Sequence, residues 1–299
     1  MRCFDDGGED ANQLIGFLGY AAEFFSLPAE KKEKVSMEKG GKAWRGWFPL
    51  GGELTSGLKD GKEGFYFGTE AKDSHDERPL HGNNLFPEAP PQLKPAVLEY
   101  MERATALGRV LLRGISLGLG LPADVFESSI TADPTILFRI FHYPPSDDYD
   151  FGVGEHCDYG LLTILAVDHI PGLQVKLEGE WIDVPAPAKG DFSVVVNLGD
   201  MLEKVSYGRY RSTPHRVKNM KDSKEARYSF PLFYDPSWTA DATAAILDLP
   251  NTCRGPIQRW DNADIHAWQG FYGDYLTAKV KKCFPALFNS VGIVEEPAT

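Results

Sequence analysis

The chain has 299 residues, and its 31 Lys and Arg against 43 Asp and Glu give a formal net charge of −12. This charge, without a local basic stripe, disfavours nucleic-acid binding, and no apolar run approaches the roughly 18 residues that span a bilayer. We therefore expect a soluble, cytoplasmic protein with no nucleic-acid or membrane partner. The four cysteines are scattered without a C-x-x-C pair, which is typical of unpaired thiols in a reducing compartment.

The first third of the chain contains two helical patterns. Leu14, Phe17, Ala21 and Phe24 recur every three or four positions, which predicts a helix over residues 9–25. Residues 40–68 contain nine glycines among aromatic residues and favour loops with short strands. A longer apolar stripe predicts a helix over residues 91–119 and consists of Leu93, Val97, Tyr100, Ala104, Leu107, Leu111 and Ile115.

The pattern changes after Pro134, where short β-rich runs alternate with turn residues. The predicted strands are residues 135–143, 161–168, 173–177, 180–184, 192–197, 209–217 and 226–234. Residues 173–184 break at Glu178-Gly179 and form a predicted hairpin, and residues 268–284 form a predicted closing helix. Seven strands at this spacing favour a sandwich or barrel, so we expect helices packed on a jelly-roll core.

His156, Cys157 and Asp158 form an H-x-D triplet, and on a strand the first and third side chains share a face. With seven His and 23 Asp, chance supplies about half such a triplet per chain, so an ordinary strand end is a real alternative. His215, in another strand-like run, offers a third ligand. Two imidazoles and one carboxylate leave coordination positions open, as non-haem Fe(II) centres that activate dioxygen require.

Arg227 and Ser229 lie one residue apart on the last predicted strand and therefore also share a face. A guanidinium beside a hydroxyl is suited to bidentate binding of a carboxylate. A structural ion pair of Arg227 is the alternative at this point. His75, His81, His142, His169 and His266 have no partner at ligand spacing, so we expect structural or solvated roles for them.

Several ordered motifs resemble the isopenicillin N synthase-like family of Fe(II)- and 2-oxoglutarate-dependent dioxygenases. They are FFSLP at 24–28, RIFHYPP at 139–145, GEHCDYGLLTIL at 154–165, GLQV at 172–175, GEWIDVP at 179–185, VVVNLGDML at 194–202, GRYRSTPHRV at 208–217 and RYSFPLFYDP at 227–236. The resemblance covers most of the chain. It implies an α+β fold with a double-stranded β-helix (jelly-roll) core and flanking helices.

The resemblance also implies roles for individual residues. His156, Asp158 and His215 correspond to the iron ligands, while Arg227 and Ser229 correspond to the pair that binds the far carboxylate of 2-oxoglutarate. Tyr143 occupies the position whose hydroxyl usually joins that carboxylate. The implied cofactors are Fe(II), with 2-oxoglutarate and dioxygen as co-substrates and ascorbate as the reductant in assays. Hydroxylation of a small organic molecule is the expected reaction, while desaturation, demethylation and ring closure use the same residues.

Two departures from the family pattern carry expectations of their own. Phe141 stands where the family often has an Asn near the metal, which removes a polar contact. The family's earlier strand and helix are not recognised before residue 24, so we expect a short or unusual N-terminus with an exposed sheet edge. We expect a single domain over residues 1–299, with a helix-and-loop part at 1–130, the jelly roll at 131–236 and a C-terminal extension at 237–299.

Two other functions fit these residues. The first is an iron oxidase of the same fold that does not use 2-oxoglutarate. The second is a jelly-roll protein that binds a metal and a carboxylate without turnover. The oligomeric state and the substrate are not predicted.

Overall fold

The computed structural model describes residues 9–71, 76, 78–191, 193–243, 247, 249, 259 and 264–290. Seven helices occur in these segments: α1 (Glu9–Phe25), α2 (Ala29–Lys32), α3 (Met37–Gly40), α4 (Leu93–Gly118), α5 (Asp200–Val205), α6 (Tyr272–Cys283) and α7 (Pro285–Ser290). Twelve strands accompany them: β1 (Gly46–Phe48), β2 (Leu54–Thr55), β3 (Leu58–Lys59), β4 (Glu63–Gly68), β5 (Pro134–Tyr143), β6 (Phe151–His156), β7 (Leu162–Val167), β8 (Leu173–Leu177), β9 (Glu180–Asp183), β10 (Ser193–Leu198), β11 (His215–Lys218) and β12 (Arg227–Ser237).

Ten of the twelve strands form two facing sheets, and β2 pairs with β3 in a separate two-stranded sheet. The larger sheet has the order β1-β4-β5-β12-β7-β10, and the smaller has the order β6-β11-β8-β9. Their pairs are antiparallel throughout, including β5 with β12 and β11 with β6. This arrangement confirms the predicted jelly-roll core with flanking helices. The division of residues 1–299 into one domain with three parts stays a prediction.

The predicted elements correspond to the structure with two corrections. Strand β11 begins only at His215, so the strand predicted over residues 209–217 is wrong in its first six positions. The chain before β11 is held by hydrogen bonds of another kind. The Ser206 hydroxyl donates to the carbonyl oxygen of Tyr210, and the backbone N–H of Ser212 donates to the Glu203 side chain of α5. Strand β6 ends at His156, so Asp158 does not lie on a strand and the alternation argument for the triplet is wrong.

Helix α4 covers the larger sheet, but its buried face drifts along the helix. Leu93, Val97, Tyr100 and Ala104 are buried as predicted. Further on, the buried positions are Gly108, Leu112 and Ser116, while Leu107, Leu111 and Ile115 are only partly buried. Steps of four residues exceed the helical period of 3.6, so the contact stripe moves around the helix. A methyl group at Gly108 would crowd the ring of Tyr234, so glycine allows α4 to approach β12 closely.

A buried carboxylate ties the N-terminal segment to the barrel. Glu63 on β4 accepts hydrogen bonds from Lys32, Trp47 and His142, each at 2.8 Å. The predicted structural role of His142 is therefore confirmed, because its ring serves this network. Within the described residues, no helix is long and apolar enough to cross a membrane. Cys157 and Cys283 form no disulfide, while Cys3 and Cys253 lie outside the described residues.

Candidate active site

Strand pairing brings the three predicted ligands to one point at the inner face of the smaller sheet. His156 ends β6, His215 begins β11, and the two residues are paired in the antiparallel register. Each Nε2 atom lies 3.8 Å from Asp158 Oδ1. Within the described residues, these three form the single group of possible ligands whose donor atoms all lie within 4.8 Å of one another.

The two imidazoles are oriented by backbone hydrogen bonds on the side away from this point. His156 Nδ1 lies 2.9 Å from the carbonyl oxygen of Gly154, and His215 Nδ1 lies 3.1 Å from that of Thr213. Because a carbonyl oxygen only accepts, each Nδ1 carries the proton in the neutral ring. Both Nε2 lone pairs are then available to a metal ion, which is the usual arrangement of metal-binding histidines.

Asp158 is held by two polar side chains through one of its oxygens. Thr163 Oγ1 donates to Oδ2 at 2.5 Å, and Asn197 Nδ2 donates to the same oxygen at 2.6 Å. Oδ1 is left facing the imidazoles. The donor set therefore fits a divalent metal with two nitrogen ligands and one oxygen ligand on one side.

The electrostatics of the group also favour metal binding. Burial, followed by the neighbouring His215, lowers the pKa of His156 to about 4. Burial alone raises the pKa of Asp158, but the two imidazoles and the hydrogen bonds from Thr163 and Asn197 lower it below its usual range. A neutral imidazole and an ionised carboxylate are the forms that bind metals, so His156 and Asp158 do not need to lose protons at neutral pH.

The predicted carboxylate-binding group lies on the larger sheet. Arg227 and Ser229 are both 2% exposed on the inner face of β12, and β5 places Tyr143 beside them, directly opposite Arg227. The hydroxyls of Tyr143 and Ser229 are 3.4 Å apart. Arg227 Nη1 is buried without a hydrogen-bond partner. A buried guanidinium with an unused donor fits an anionic ligand that supplies the missing acceptor.

A cavity of about 510 Å³ connects the two groups. Its wall includes the His156–Asp158–His215 group, Arg227 and Ser229. This volume lies in the range of sites for small organic ligands. Phe141 also lines it and lies under the ammonium group of Lys62, 4.8 Å from its ring centroid. Position 141 therefore offers no polar side chain to the cavity, and the Phe141 ring contacts the ammonium group of Lys62 instead.

Lys62 belongs to a paired cluster of charged residues in the cavity wall. Its ammonium group forms ion pairs with Asp60 and with Glu53, the latter at 2.8 Å. Tyr66 donates a hydrogen bond to the other oxygen of Glu53 at 2.5 Å. Tyr66 is buried in the core and also lines the cavity.

Asp235 is a further buried acid of the wall. Burial raises its pKa to about 7, against the hydrogen bond from Tyr272. Its Oδ1 atom has no hydrogen-bond partner and lies against the α-carbon of Gly160, where a methyl group would overlap it. The loop after Asp158 is thus packed directly on β12.

The sequence interpretation missed Thr163, Asn197, Glu53 and Lys62. Thr163 and Asn197 each interrupt an apolar run, in GLLTIL and VVVNLGD, and that interruption is a signal of an inward-facing polar role. No comparable signal marks Glu53 or Lys62, whose contacts depend on how the N-terminal segment folds over the barrel. Of the other histidines, His81 and His169 have structural contacts with Pro79 and Glu225, respectively, and His75 lies outside the described residues.

Two family models match the chain. Residues 134–236 match the model of the 2OG-Fe(II) oxygenase superfamily. Residues 8–89 match the model described as the N-terminal region of non-haem dioxygenases in morphine synthesis. The first match covers all three residues of the candidate ligand group, together with Arg227 and Ser229.

Curated relatives align over most of the chain. A probable iron/ascorbate oxidoreductase of Dictyostelium discoideum is 46% identical, over 90% of this chain and 81% of the relative. A 1-aminocyclopropane-1-carboxylate oxidase of Dictyostelium mucoroides is 34% identical, over 93% and 85%. A homoarginine-6-hydroxylase of Glycine max is 35% identical, over 86% and 77%.

Solved structures share the fold. A 2OG-Fe(II) oxygenase family protein of Caulobacter crescentus has a TM-score of 0.73 at 27% identity, over 93% of this chain and 88% of that chain. A full-length Neurospora crassa protein in complex with alpha-KG and 5-formyluracil has a TM-score of 0.69 at 26% identity, over 92% and 83%. This chain belongs to the 2OG-Fe(II) oxygenase superfamily and is an Fe(II)- and 2-oxoglutarate-dependent dioxygenase.

Proposed function

We propose that His156, Asp158 and His215 hold the Fe(II) ion and that the enzyme hydroxylates a small organic molecule in the adjoining cavity. The observation that carries this proposal is the convergence of both Nε2 atoms on Asp158 Oδ1, each at 3.8 Å. Three ligands on one side leave positions for the co-substrate and dioxygen. A pure binding protein has no need of such open positions, which argues against the alternative without turnover.

The same proposal assigns the far carboxylate of 2-oxoglutarate to Arg227, Ser229 and Tyr143. The buried Nη1 donor of Arg227 has no partner, and a carboxylate would satisfy it. Ser229 and Tyr143 add two hydroxyl donors close to the guanidinium. Formation of succinate separates this oxygenase from the alternative, an iron oxidase of the same fold that does not use 2-oxoglutarate.

The overall reaction is balanced by one molecule of dioxygen. Bound Fe(II) supplies the activation of dioxygen that couples decarboxylation of 2-oxoglutarate to substrate oxidation. One oxygen atom enters succinate as carbon dioxide leaves, and the other enters the substrate and converts a C–H bond to C–OH. In this scheme Arg227 and Ser229 fix the co-substrate, Thr163 and Asn197 fix Asp158, and the cavity wall orients the substrate and limits water.

The size and composition of the cavity support a small-molecule substrate. Its 510 Å³ suits a metabolite rather than a folded partner, and it is lined by both apolar side chains and charged ones. The names of two relatives, homoarginine-6-hydroxylase and 1-aminocyclopropane-1-carboxylate oxidase, provide test compounds of suitable size.

The experiment that tests the proposal measures conversion of 2-oxoglutarate to succinate under Fe(II), ascorbate and air, with a library of small metabolites that includes both test compounds. The wild type and a His169→Ala control, whose histidine contacts Glu225 near the surface, should form succinate. His215→Ala should form none and should lose bound iron. Equal iron content and equal turnover in the two histidine variants would contradict the ligand assignment.

A further inference from the structure

Arg139 is a second buried guanidinium in the cavity wall. It lies on β5 opposite Tyr66 of β4, and it is 8% exposed. Its guanidinium carbon lies 3.5 Å from the ring centroid of Tyr66 and 5.4 Å from that of Phe233. Stacking on Tyr66, whose hydroxyl is anchored by Glu53, fixes the plane of the guanidinium and leaves its edge as the available donor surface.

Most donors of this guanidinium are unused. Among the described residues, its hydrogen bond is the one that Nη1 donates to the carbonyl oxygen of the neighbouring Phe138 at 3.3 Å. An arginine has five N–H donors, and a buried charge is costly unless it is paired. Within the described part of the chain, no carboxylate lies within 4.0 Å of Arg139.

The absence of an ion pair at Arg139 is unusual, because the other buried cations compared with it mostly have one. Lys62 is paired with Asp60 and Glu53, and Arg259 is paired with Asp200 at 2.9 Å and with Glu203 at 3.3 Å. Among the described residues of this set, Arg139 and Arg227 form no ion pair within 4.0 Å. Burial raises the pKa of Asp235 and that of Asp168, and Arg139 and Arg227, respectively, act to lower them, but neither carboxylate bonds to its arginine. The proposed function gives Arg227 a carboxylate from the co-substrate, and Arg139 is left with no carboxylate in direct contact.

Strand register places Arg139 away from the co-substrate group and beside the metal group. Tyr143 lies opposite Arg227, and Arg139 is four residues back along β5, about 13 Å at the usual rise of a strand. Phe233, which Arg139 contacts, lies opposite Thr163, and Thr163 holds Asp158. Arg139 therefore faces the part of the cavity nearest the metal ligands and is separate from the Arg227 group.

We propose that Arg139 binds a carboxylate of the oxidised substrate, so that the substrate class is small organic acids. This inference rests on the proposed function, because it takes the cavity near Asp158 as the substrate site. A planar guanidinium binds a carboxylate through two parallel hydrogen bonds, which fixes both the position and the orientation of the molecule. The acid is thus held beside the metal group at a defined distance from its reacting carbon.

The test is a binding screen of matched compounds. The protein, loaded with Fe(II) and 2-oxoglutarate under argon, is screened by thermal shift against small carboxylic acids, each paired with its primary amide. We expect stabilisation by a subset of acids and little by their amides. Dissociation constants of the best acid and of its amide then follow from calorimetric titration.

Three variants identify the residue. In Arg139→Gln the affinity for the acid should fall about 30-fold to several thousand-fold while that for the amide changes little, so the preference for the acid disappears. Arg139→Lys should restore part of the preference, since it keeps the charge without the planar fork. Arg113→Gln, which removes an exposed arginine paired with Glu127 on the surface, should keep the preference of the wild type.

The binding results decide the inference about Arg139, and they can be judged separately from the succinate assay that tests the proposed function. If no acid binds more tightly than its amide to the wild type, or if Arg139→Gln keeps the preference, the inference is wrong even where succinate is formed. If Arg139→Gln does not fold, Arg139→Lys decides, and an unchanged preference in that variant contradicts the bidentate contact. Failure of succinate formation in the wild type overturns the proposed function and leaves the binding result to be judged by itself.

Discussion

Thr163 Oγ1 donates a 2.5 Å hydrogen bond to Asp158 Oδ2, and through it the larger sheet fixes a proposed metal ligand beside the smaller one. Asn197, paired with Thr163 across β10 and β7, bonds to the same oxygen. Asp158 lies beyond the end of β6, so no strand backbone holds it. The Asp158 side chain is therefore positioned by Thr163 and Asn197.

Removing this support should weaken iron binding without removing a ligand. Thr163→Val keeps the shape but leaves Asp158 Oδ2 with one donor, so iron affinity should fall about 10- to 100-fold. Thr163→Ser keeps the hydroxyl and should bind iron almost as the wild type does. Competition with a chelator measures both constants. Equal affinity in the valine and serine variants would show that the hydroxyl does not position Asp158.

Gly160 should tolerate no side chain. A methyl group there would overlap Asp235 Oδ1, and both groups are fixed, one by β12 and one by the loop after Asp158. Gly160→Ala should therefore lower the free energy of unfolding by about 1–3 kcal/mol. It should also weaken iron binding by displacing Asp158.

Gly114 provides the matched control for that variant. It lies inside α4, and a methyl group at this position would meet no atom of the surrounding protein within 4 Å. Gly114→Ala should raise the free energy of unfolding by about 0.5–1 kcal/mol, since alanine is the better helix former. Denaturant titrations of the two variants should give opposite signs. A loss of stability in both would point to a general cost of replacing glycine instead of a specific overlap.

The Glu63 network should make stability depend on pH in the acidic range. Burial alone raises the pKa of Glu63, but the hydrogen bonds from His142, Lys32 and Trp47 lower it below its usual value. An acid with a lowered pKa stabilises the fold above its unfolded pKa, about 4.3, and this contribution is lost as the pH falls through the folded value. The stabilisation should therefore be complete at pH 7 and decline below about pH 4.3.

Glu63→Gln tests this network. The variant should be about 3 kcal/mol less stable than the wild type at pH 7, because Lys32 loses its buried counter-charge. The difference should shrink as the pH falls below about 4.3. Glu88→Gln, which breaks an exposed pair with Lys34 at 3.7 Å, should cost less than about 1 kcal/mol at either pH. A pH-independent difference for Glu63→Gln would contradict the sign of the shift.

The chain's periodicity predicted the two long helices and most of the core strands, because each has a regular apolar face. The residues His156, Asp158, His215, Arg227 and Ser229 were identifiable because their types and spacing are distinctive and because ordered motifs surround them. The side chains that hold Asp158 could not be identified in this way, because the hydrogen bond from Thr163 to Asp158 crosses from one sheet to the other. The proposed role of Arg139 was not predicted either, because an arginine inside RIFHYPP gives no indication of whether its partner is protein or ligand.

The strand predicted over residues 209–217 begins only at His215, and the apolar periodicity of the sequence could not show the reason. Glu203 accepts the backbone N–H of Ser212 and pairs with Arg259. Burial, the largest influence, raises the pKa of Glu203 against these contacts. The segment is therefore held by side chains of α5 before the chain enters β11 at His215.

The most direct test of the central assignment is succinate formation against 2-oxoglutarate concentration in the wild type, Arg227→Ala and Ser229→Ala. Truncating one partner of a desolvated charge pair costs about 2–5 kcal/mol, so Arg227→Ala should raise the apparent constant for 2-oxoglutarate about 30-fold to several thousand-fold. Ser229→Ala removes a neutral donor and should raise it about fivefold, and both variants should retain bound iron. An arginine variant with the wild-type constant would show that the co-substrate carboxylate is not bound by Arg227.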